Sequence, residues 1–285
     1  MNDPQRPASR WLVTTDWLEQ HLSAPDIVVV DGSYYLPTIK RDARQEYLDA
    51  HIPGAVFFDV EAISNHDSDL PHMLPRPEAF SSAMRDLGIG DGQTIVVYDG
   101  LGLYGAARVW WTFRVFGVKD VFVLDGGFPK WKSESRPIEF GDVKRLPRHF
   151  TGRMDHGAVA ALSDVQTALA TGNAQVIDAR SAERFRGAAP EPRPGLRSGH
   201  MPGALNLPFE ALIEDGRLAP PDRLAAAFAD AGVDIDKPVI TSCGSGVTAA
   251  ILTFALEALG RERTSLYDGS WAEWGSRQDL PVAKD

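Results

Sequence analysis

The amino-acid sequence predicts an α/β fold of two tandem domains, each a parallel sheet flanked by helices on both faces. Three observations support this prediction. The chain has 285 residues, which suits two domains of ordinary size better than one small core. Blocks of sequence from the first half return in the same order in the second half. Within each half, short runs of β-branched residues alternate with helical stretches.

The internal repeat is the strongest of these observations. The phrase "HIPGAVFFDV" at 51–60 returns as "HMPGALNLPF" at 200–209, an offset of 200 − 51 = 149 residues. Likewise "LDGGFPKW" at 124–131 returns as "YDGSWAEW" at 267–274, an offset of 267 − 124 = 143 residues. Two further pairs keep the same order: 27–33 with 174–181, and 79–89 with 223–233. Such a long repeat indicates a duplicated domain, because solenoid units are much shorter.

The repeat predicts a first domain at 1–135, a linker at 136–158 and a second domain at 159–285. The linker "RPIEFGDVKRLPRHFTGRMDHGA" has no counterpart in the repeat. It combines Pro, Gly and charged residues without clear periodicity, which is typical of a connecting segment.

The second copy shows the predicted elements most clearly. Short apolar runs predict buried strands, and longer runs with helical spacing predict helices, the last of which is closed by Gly260. The strands are "AQVID" and "KPVITS", the helices are "PDRLAAAFADAG" and "TAAILTFALEALG", and "LPFEALIE" is predicted to be extended and then to enter a helix. In parallel sheets the ligand site lies beyond the carboxyl ends of the strands. Cys243 stands at such a position.

The composition excludes several classes of function. The net charge of −10 argues against a nucleic-acid groove, and no apolar stretch is long enough for a membrane helix. One cysteine can form neither an internal disulfide nor a multi-cysteine zinc site, and the start "MNDPQRPASRWLV" lacks a secretory apolar region. We therefore expect a cytoplasmic protein whose partners are small molecules or proteins.

Cys243 lies at the turn between a predicted strand and a predicted helix. The loop that ends at Thr248 contains Gly244 and Gly246, so its backbone N–H groups can point at one centre. The following helix adds its positive end. Both effects stabilise an anion, so a Cys243 thiolate would be a ready nucleophile. The alternative is a small side chain in the core, since free cysteine is among the most buried residues.

A phosphatase-type loop is a competing interpretation of the same cysteine. That chemistry needs an arginine six positions after the cysteine, but Ala249 stands there and the loop has no cation. A phosphate dianion would be left without a charged partner. Phosphoryl transfer is therefore not expected.

The "CGSGVT" loop, the paired "HxPGA" blocks, the "DGSWAEWG" ending and the tandem architecture make the chain similar to the rhodanese superfamily. Within it, the chain most resembles the two-domain 3-mercaptopyruvate sulfurtransferases, over roughly residues 10 to 283. The resemblance implies two tandem rhodanese-like domains and transfer of sulfur through a Cys243 persulfide. Sulfur would pass from 3-mercaptopyruvate to a thiol, a thioredoxin-like protein or cyanide, with release of pyruvate. It implies neither a metal nor an organic cofactor.

The resemblance also implies the residues that bind the donor. The family's arginines of "RF" and "EPR" hold the mercaptopyruvate, and they match Arg184 and Arg193. Arginine suits this role because its planar fork fits a carboxylate. Arg186 and Arg197 lie on the same predicted loop, and the alternative is that its arginines merely solvate it. The implied binding residues of the cysteine loop are Gly244, Gly246, Val247 and Thr248.

The stretch "FFDVEAISNHDSDLPHMLP" at 57–75 resembles the segment that sends an acidic residue and a histidine towards the family's catalytic cysteine. Alignment on "FFD" and "HMLP" gives Glu61 and His72, which with Ser245 would form a proton relay. Some relatives have Asp in place of Glu61. A capping or loop role for His72 stays open.

The first copy has "VVYDGLGLYGAARVWW" where the second has "VITSCGSGVTAAILTF", so Asp99 falls opposite Cys243. An aspartate cannot carry a persulfide, and the resemblance therefore implies a catalytically silent first domain. His51 and His200 occur in both copies, which favours a role in the fold for each.

Two alternative functions remain. A thiosulfate:cyanide sulfurtransferase usually carries basic side chains in the loop to bind its dianionic donor, whereas Gly244 and Ser245 are neutral. A non-catalytic rhodanese-fold binding module is the other alternative, against which the intact loop argues.

Overall fold

The computed structural model describes residues 9–36, 39–261 and 263–285. The chain divides into two compact units that follow the repeat except for two short exchanged segments. The first unit contains the residues up to Asn65, Leu74–Asp155 and Glu214–Leu218, and the second contains His66–Met73, His156–Ile213 and Ala219–Asp285. Most of the predicted linker thus groups with the first unit. The domain boundaries at 135 and 158 stay predictions.

A parallel sheet forms the centre of the first unit. Its described strands are β1 (Leu12–Val13), β2 (Ile27–Asp31), β3 (Val56–Phe57), β4 (Thr94–Tyr98) and β5 (Val121–Leu124), and their order in the sheet is β1-β5-β4-β2-β3. The strands β2 and β4 are buried β-branched runs, as a sheet covered on both faces requires. The described helices are α1 (Thr15–His21), α2 (Ala43–Asp49), α3 (Pro77–Asp86), α4 (Gly105–Val115) and α5 (Gly127–Ser133).

The second unit repeats this sheet. Its described strands in chain order are β6 (Val159–Ala160), β7 (Gln175–Asp178), β8 (Leu205–Asn206), the hairpin of β9 (Ile213–Glu214) and β10 (Arg217–Leu218), β11 (Val239–Ser242) and β12 (Thr264–Tyr267). The parallel sheet has the order β6-β12-β11-β7-β8, the same connectivity as in the first unit. The described helices are α6 (Leu162–Thr171), α7 (Ala182–Phe185), α8 (Pro221–Asp230), α9 (Ala249–Ala258) and α10 (Ser270–Trp274).

The predicted α/β architecture is confirmed, including the strands β7 and β11 and the helices α8 and α9. Gly260 closes α9 with φ of 78°, and its N–H donates to the Glu257 carbonyl at 3.0 Å. The run 207–214, predicted to enter a helix, forms only one 3-10 turn (Phe209–Leu212) before β9. The turn ends because the backbone of the β-branched Ile213 is extended, with φ of −123°.

The strand register supports the predicted alignment of Asp99 with Cys243. Asp31 is opposite Tyr98 in the first sheet, and the equivalent Asp178 is opposite Ser242 in the second. Asp99 and Cys243 are the next residues in their chains. Their carbonyls also accept equivalent bonds, from Phe128 N–H at 3.0 Å and from Trp271 N–H at 2.9 Å. The two residues therefore occupy the same place in the fold.

The paired histidines have matching structural contacts. The Nδ1 atom of His51 lies 2.7 Å from the Tyr47 carbonyl, and that of His200 lies 2.9 Å from the Phe185 carbonyl. Each ring stacks on the aromatic ring of the same partner. The predicted fold role of both histidines is confirmed. Across the residues that the structure describes, no helix is long and apolar enough to cross a membrane.

Candidate active site

Cys243 follows β11 directly, at the carboxyl end of a central strand of the second sheet. Its backbone is fixed to the start of α10: its N–H donates to Ser270 Oγ at 3.2 Å, and its carbonyl accepts from Trp271 N–H at 2.9 Å. The Gly244 carbonyl accepts from Ala272 N–H at 2.9 Å. Cys243 is only 2% exposed. The sulfur is therefore held at a fixed position in a buried loop.

The loop after Cys243 carries backbone donors that the protein does not use. Gly246 has φ of 78°, a conformation that glycine adopts without strain and that lets the chain turn back sharply. Within the described residues, the backbone N–H groups of Ser245, Val247 and Thr248 donate to no protein acceptor. The helix α9 begins at Ala249, one residue after the start of the predicted helix at Thr248, and no side chain caps it. Unpaired donors at a helix start favour a bound anion.

His72 lies against this loop. Its Nδ1 atom is 3.2 Å from the Ser245 carbonyl, and the side chain is buried. Because a carbonyl only accepts hydrogen bonds, Nδ1 donates in this contact, and Nε2 is the nitrogen that a neutral ring would leave without a proton. The backbone at His72 has φ of 61°, which is uncommon outside glycine. Such a conformation persists only where the surroundings hold it, and it is often found at functional sites.

Arg184 brings a positive charge to the loop. A Cβ atom placed on Gly244 would lie 3.0 Å from Nη2 of Arg184, so the guanidinium packs directly on the Gly244 backbone. Arg184 also binds Glu191, with Nη2 to Oε2 at 2.6 Å and Nε to Oε1 at 3.3 Å. The Arg184 side chain is 21% exposed and the Glu191 side chain is 1% exposed. The guanidinium is therefore oriented from one side and accessible from another.

Glu191 belongs to a buried network that sequence reasoning missed. It accepts from Arg180 Nη1 at 2.8 Å, and Arg180 binds Asp178 through Nη2 at 2.7 Å. Burial acts to lower the pKa of Arg180, but the charges of Asp178 and Glu191 outweigh it and raise that pKa. The sequence shows a carboxylate two positions before Arg193 in "EPR", but it does not show which guanidinium that carboxylate binds. The positive charges of Arg180 and Arg184 balance the negative charges of Asp178 and Glu191, as a buried ionic cluster requires.

The structure places the other predicted side chains in different settings. Arg193 is half-buried, and in the described part of the chain it makes no hydrogen bond or ion pair. Arg197 binds backbone carbonyls, among them Leu280 O at 2.8 Å, and so serves the fold. Arg186 contributes its carbonyl, which accepts from Asp285 N–H at 3.2 Å. Glu61 belongs to the first unit, is exposed, and bonds its N–H to Asp59 Oδ1 at 3.0 Å.

The equivalent loop of the first unit holds an anion of its own. The Asp99 carboxylate, 1% exposed, accepts four backbone N–H groups. Oδ1 accepts from Leu101 and Gly102, both at 2.8 Å, and Oδ2 accepts from Tyr104 at 2.6 Å and Ala106 at 2.8 Å. This fold therefore gathers backbone donors around the residue that follows the strand. No cluster of three or more His, Cys, Asp or Glu side chains that could hold a metal ion occurs among the residues described.

Known proteins match the chain over nearly its whole length. The model of the rhodanese-like domain matches residues 14–134 and 161–277. A 3-mercaptopyruvate sulfurtransferase of Escherichia coli K12 is 48% identical, over 96% of this chain and 98% of the relative. A mitochondrial thiosulfate/3-mercaptopyruvate sulfurtransferase of Arabidopsis thaliana is 42% identical, over 95% of this chain and 77% of the relative. The crystal structure of the 3-mercaptopyruvate sulfotransferase SseA from Escherichia coli superposes with a TM-score of 0.86 at 46% identity, covering 92% of this chain and 98% of that one.

Proposed function

Because the chain belongs to the rhodanese-like domain family, we propose that it is a 3-mercaptopyruvate sulfurtransferase that carries the transferred sulfur as a persulfide on Cys243. The observation that carries this proposal is that three groups meet at the carboxyl end of one strand. A cysteine sulfur stands in a loop with unused backbone donors, and the guanidinium of Arg184 packs on the same loop. This arrangement supports the proposed roles of Cys243 as nucleophile, of the loop as anion site and of Arg184 as carboxylate-binding group.

The proposed reaction begins with the Cys243 thiolate. It attacks the sulfur of 3-mercaptopyruvate, an S–S bond forms, and the C–S bond of the donor breaks. The electron pair of that bond leaves with the carbon as the enolate of pyruvate, which takes up the proton that the donor thiol has lost. The backbone donors of Ser245, Val247 and Thr248 stabilise the negative charge that stays on the persulfide.

Arg184 and Arg193 bind the carboxylate and the neighbouring carbonyl of the donor in this proposal. Arg184 is suited to the task because Glu191 fixes its orientation before the donor arrives, which lowers the entropic cost of binding. Arg193 has no ion pair to give up among the described residues. Gly244 contributes by leaving room for the Arg184 guanidinium against the loop, and Gly246 by letting the loop turn back around the donor.

His72, Ser245 and Glu61 form the proposed proton relay. With Nδ1 bonded to the Ser245 carbonyl, Nε2 of His72 can accept the proton of the donor thiol and return it to the enolate. The Ser245 hydroxyl is buried and close in sequence to Cys243. It can pass the proton between the donor and His72. Glu61 would orient the histidine.

The donor is proposed to be the monoanionic 3-mercaptopyruvate, because the segment from Cys243 to Ala249 contains no Lys or Arg that could balance a dianion. Thiosulfate is the second candidate, favoured by the name of the Arabidopsis relative, which includes both donors.

A thiol, a thioredoxin-like protein or cyanide would accept the sulfur. The lone cysteine, which can form no internal disulfide, supports a cytoplasmic location.

Steady-state assays with the two donors test this proposal. Pyruvate release from 3-mercaptopyruvate in the presence of cyanide or a thiol should be rapid and should vanish in Cys243→Ser. Thiocyanate formation from thiosulfate should be much slower. A preference for thiosulfate would refute the donor assignment. Equal and negligible turnover with both donors would instead favour a non-catalytic binding module.

A further inference from the structure

The loop from Asp99 to Ala106 in the first unit is more than a degenerate copy of the cysteine loop. Four backbone N–H groups, at 2.6 to 2.8 Å, converge on the Asp99 carboxylate, two on each oxygen. Two donors for each oxygen is a full set for a carboxylate without an ion pair. The charge of Asp99 also acts on the Arg41 guanidinium, but Arg41 is paired with Glu46 at 2.6 Å. No ion pair to Asp99 is found in the part of the chain that the structure describes.

The surroundings of this loop close it against water. Gly102 packs so tightly that a Cβ atom on it would lie 2.2 Å from the Gly216 carbonyl oxygen. Behind the loop, a Cβ on Gly127 would lie 2.7 Å from the Asp99 carbonyl oxygen. Arg217, next to Gly216, binds Asp125 at 3.1 Å through Nε, which holds the covering segment down. A charge kept in such a place depends on the four backbone dipoles.

Burial raises the pKa of Asp99, and its four backbone donors oppose this effect. The donors are neutral, and their arrangement is fixed by the turn and by the first residues of α4, an eleven-residue helix. Among the described residues of the second unit, the N–H groups of Ser245 and Thr248, equivalent to those of Leu101 and Tyr104, donate to no protein acceptor, whereas that of Ala250 donates to the Val247 carbonyl at 3.3 Å. The difference between the two loops is thus whether the protein supplies the anion itself.

We propose that the first unit retains an anion-binding site for a small carboxylate, and that Asp99 is its tethered ligand. The tethered carboxylate occupies every donor and so keeps free anions out of the silent unit. Removing the Asp99 side chain should convert this internal ligand site into one that binds a free carboxylate. The inference does not depend on sulfur transfer, because it concerns only residues of the first unit.

Asp99→Gly in the full-length protein is the direct test, with formate as the probe. Glycine removes Cβ together with the carboxylate, so formate has the room that the side chain left, whereas the methyl group of acetate would overlap Cα. Equilibrium unfolding in urea lets formate enter as the chain refolds. Formate should raise the urea midpoint of this variant in a saturable way, relative to chloride at equal ionic strength, and acetate should do less. The wild-type midpoint should respond equally to formate and chloride.

Asp31→Gly is the matched control, because Asp31 is also a buried carboxylate of the first unit but accepts only one backbone N–H, from Ser33 at 2.9 Å. Formate should not stabilise this variant beyond the effect of chloride. Equal responses of Asp99→Gly to formate and chloride, or an equal response of both variants to formate, would overturn the proposal.

Asp99→Asn provides a second test should the glycine variant not fold. Asparagine keeps the shape, but its NH₂ group must face two of the four donors. The urea midpoint should fall clearly below that of the wild type, and further than in Asp31→Asn. A midpoint equal to that of the wild type would overturn the proposal.

Discussion

A methyl group at position 244 should displace the guanidinium of Arg184 and slow the use of 3-mercaptopyruvate. The Cβ atom of Gly244→Ala would lie 3.0 Å from Nη2, whereas ordinary contacts begin at 3.4 Å, so the guanidinium must move by at least 3.4 − 3.0 = 0.4 Å. Nη2 is also held to Glu191 at 2.6 Å, and this movement strains that bond. Partial loss of one charge-assisted hydrogen bond costs about 1.5 kcal/mol. This corresponds to about a tenfold fall in kcat/KM.

The assay is steady-state pyruvate release by wild type, Gly244→Ala, Arg184→Ala and the double variant. In a double-mutant cycle the alanine at 244 should have little further effect once Arg184 is absent. The rate of Cys243 alkylation by iodoacetamide, which needs no carboxylate binding, should stay within about twofold of wild type in all four proteins. Unchanged kcat/KM in Gly244→Ala would refute the reasoning, as would the same loss in the Arg184→Ala background.

Three further predictions concern buried ionisable groups. Burial raises the pKa of Asp31 to about 6, so stability should fall as the pH rises from about 4 to about 6, by about 3 kcal/mol in total. Urea unfolding of Asp31→Asn should lack this loss, and an unchanged pH dependence would contradict it. Glu191→Gln leaves Arg180 and Arg184 with one carboxylate fewer, and it should lower the free energy of unfolding by about 3 kcal/mol; a loss within the error of the measurement would show that the network is not coupled to stability. His72→Asn tolerates the positive φ and keeps an N–H donor but removes the base, so sulfur loading in rapid-mixing assays should slow about 100-fold. A normal rate would remove His72 from the relay.

The duplicated fold was predictable because the repeat is visible in the amino-acid sequence itself. The recurrence of Asp31 as Asp178 fixes the strand register, and that register puts Asp99 and Cys243 at equivalent strand ends. The alternation of β-branched strands and helices then identifies the sheet edge at which ligands bind. These patterns depend on local periodicity, which a single sequence displays directly.

Contacts between loops were not predictable in the same way. The hydrogen bond between Glu191 and Arg180 joins residues eleven positions apart in a segment without periodicity. The sequence alone therefore does not indicate which carboxylate binds which guanidinium. Neither composition nor periodicity predicts that His66–Met73 belongs to the second unit, although the family resemblance pointed to His72. The 3-10 turn at Phe209–Leu212 was missed because its apolar spacing fits a helix and an extended run equally well.

Mass spectrometry of the protein after incubation with 3-mercaptopyruvate tests the persulfide on Cys243 most directly. One sulfur atom should be added per chain, on the peptide that contains Cys243, with one pyruvate released for each sulfur gained. Cyanide should remove the added sulfur as thiocyanate, and Cys243→Ser should gain none. An unmodified Cys243 alongside normal pyruvate release would contradict the proposed mechanism.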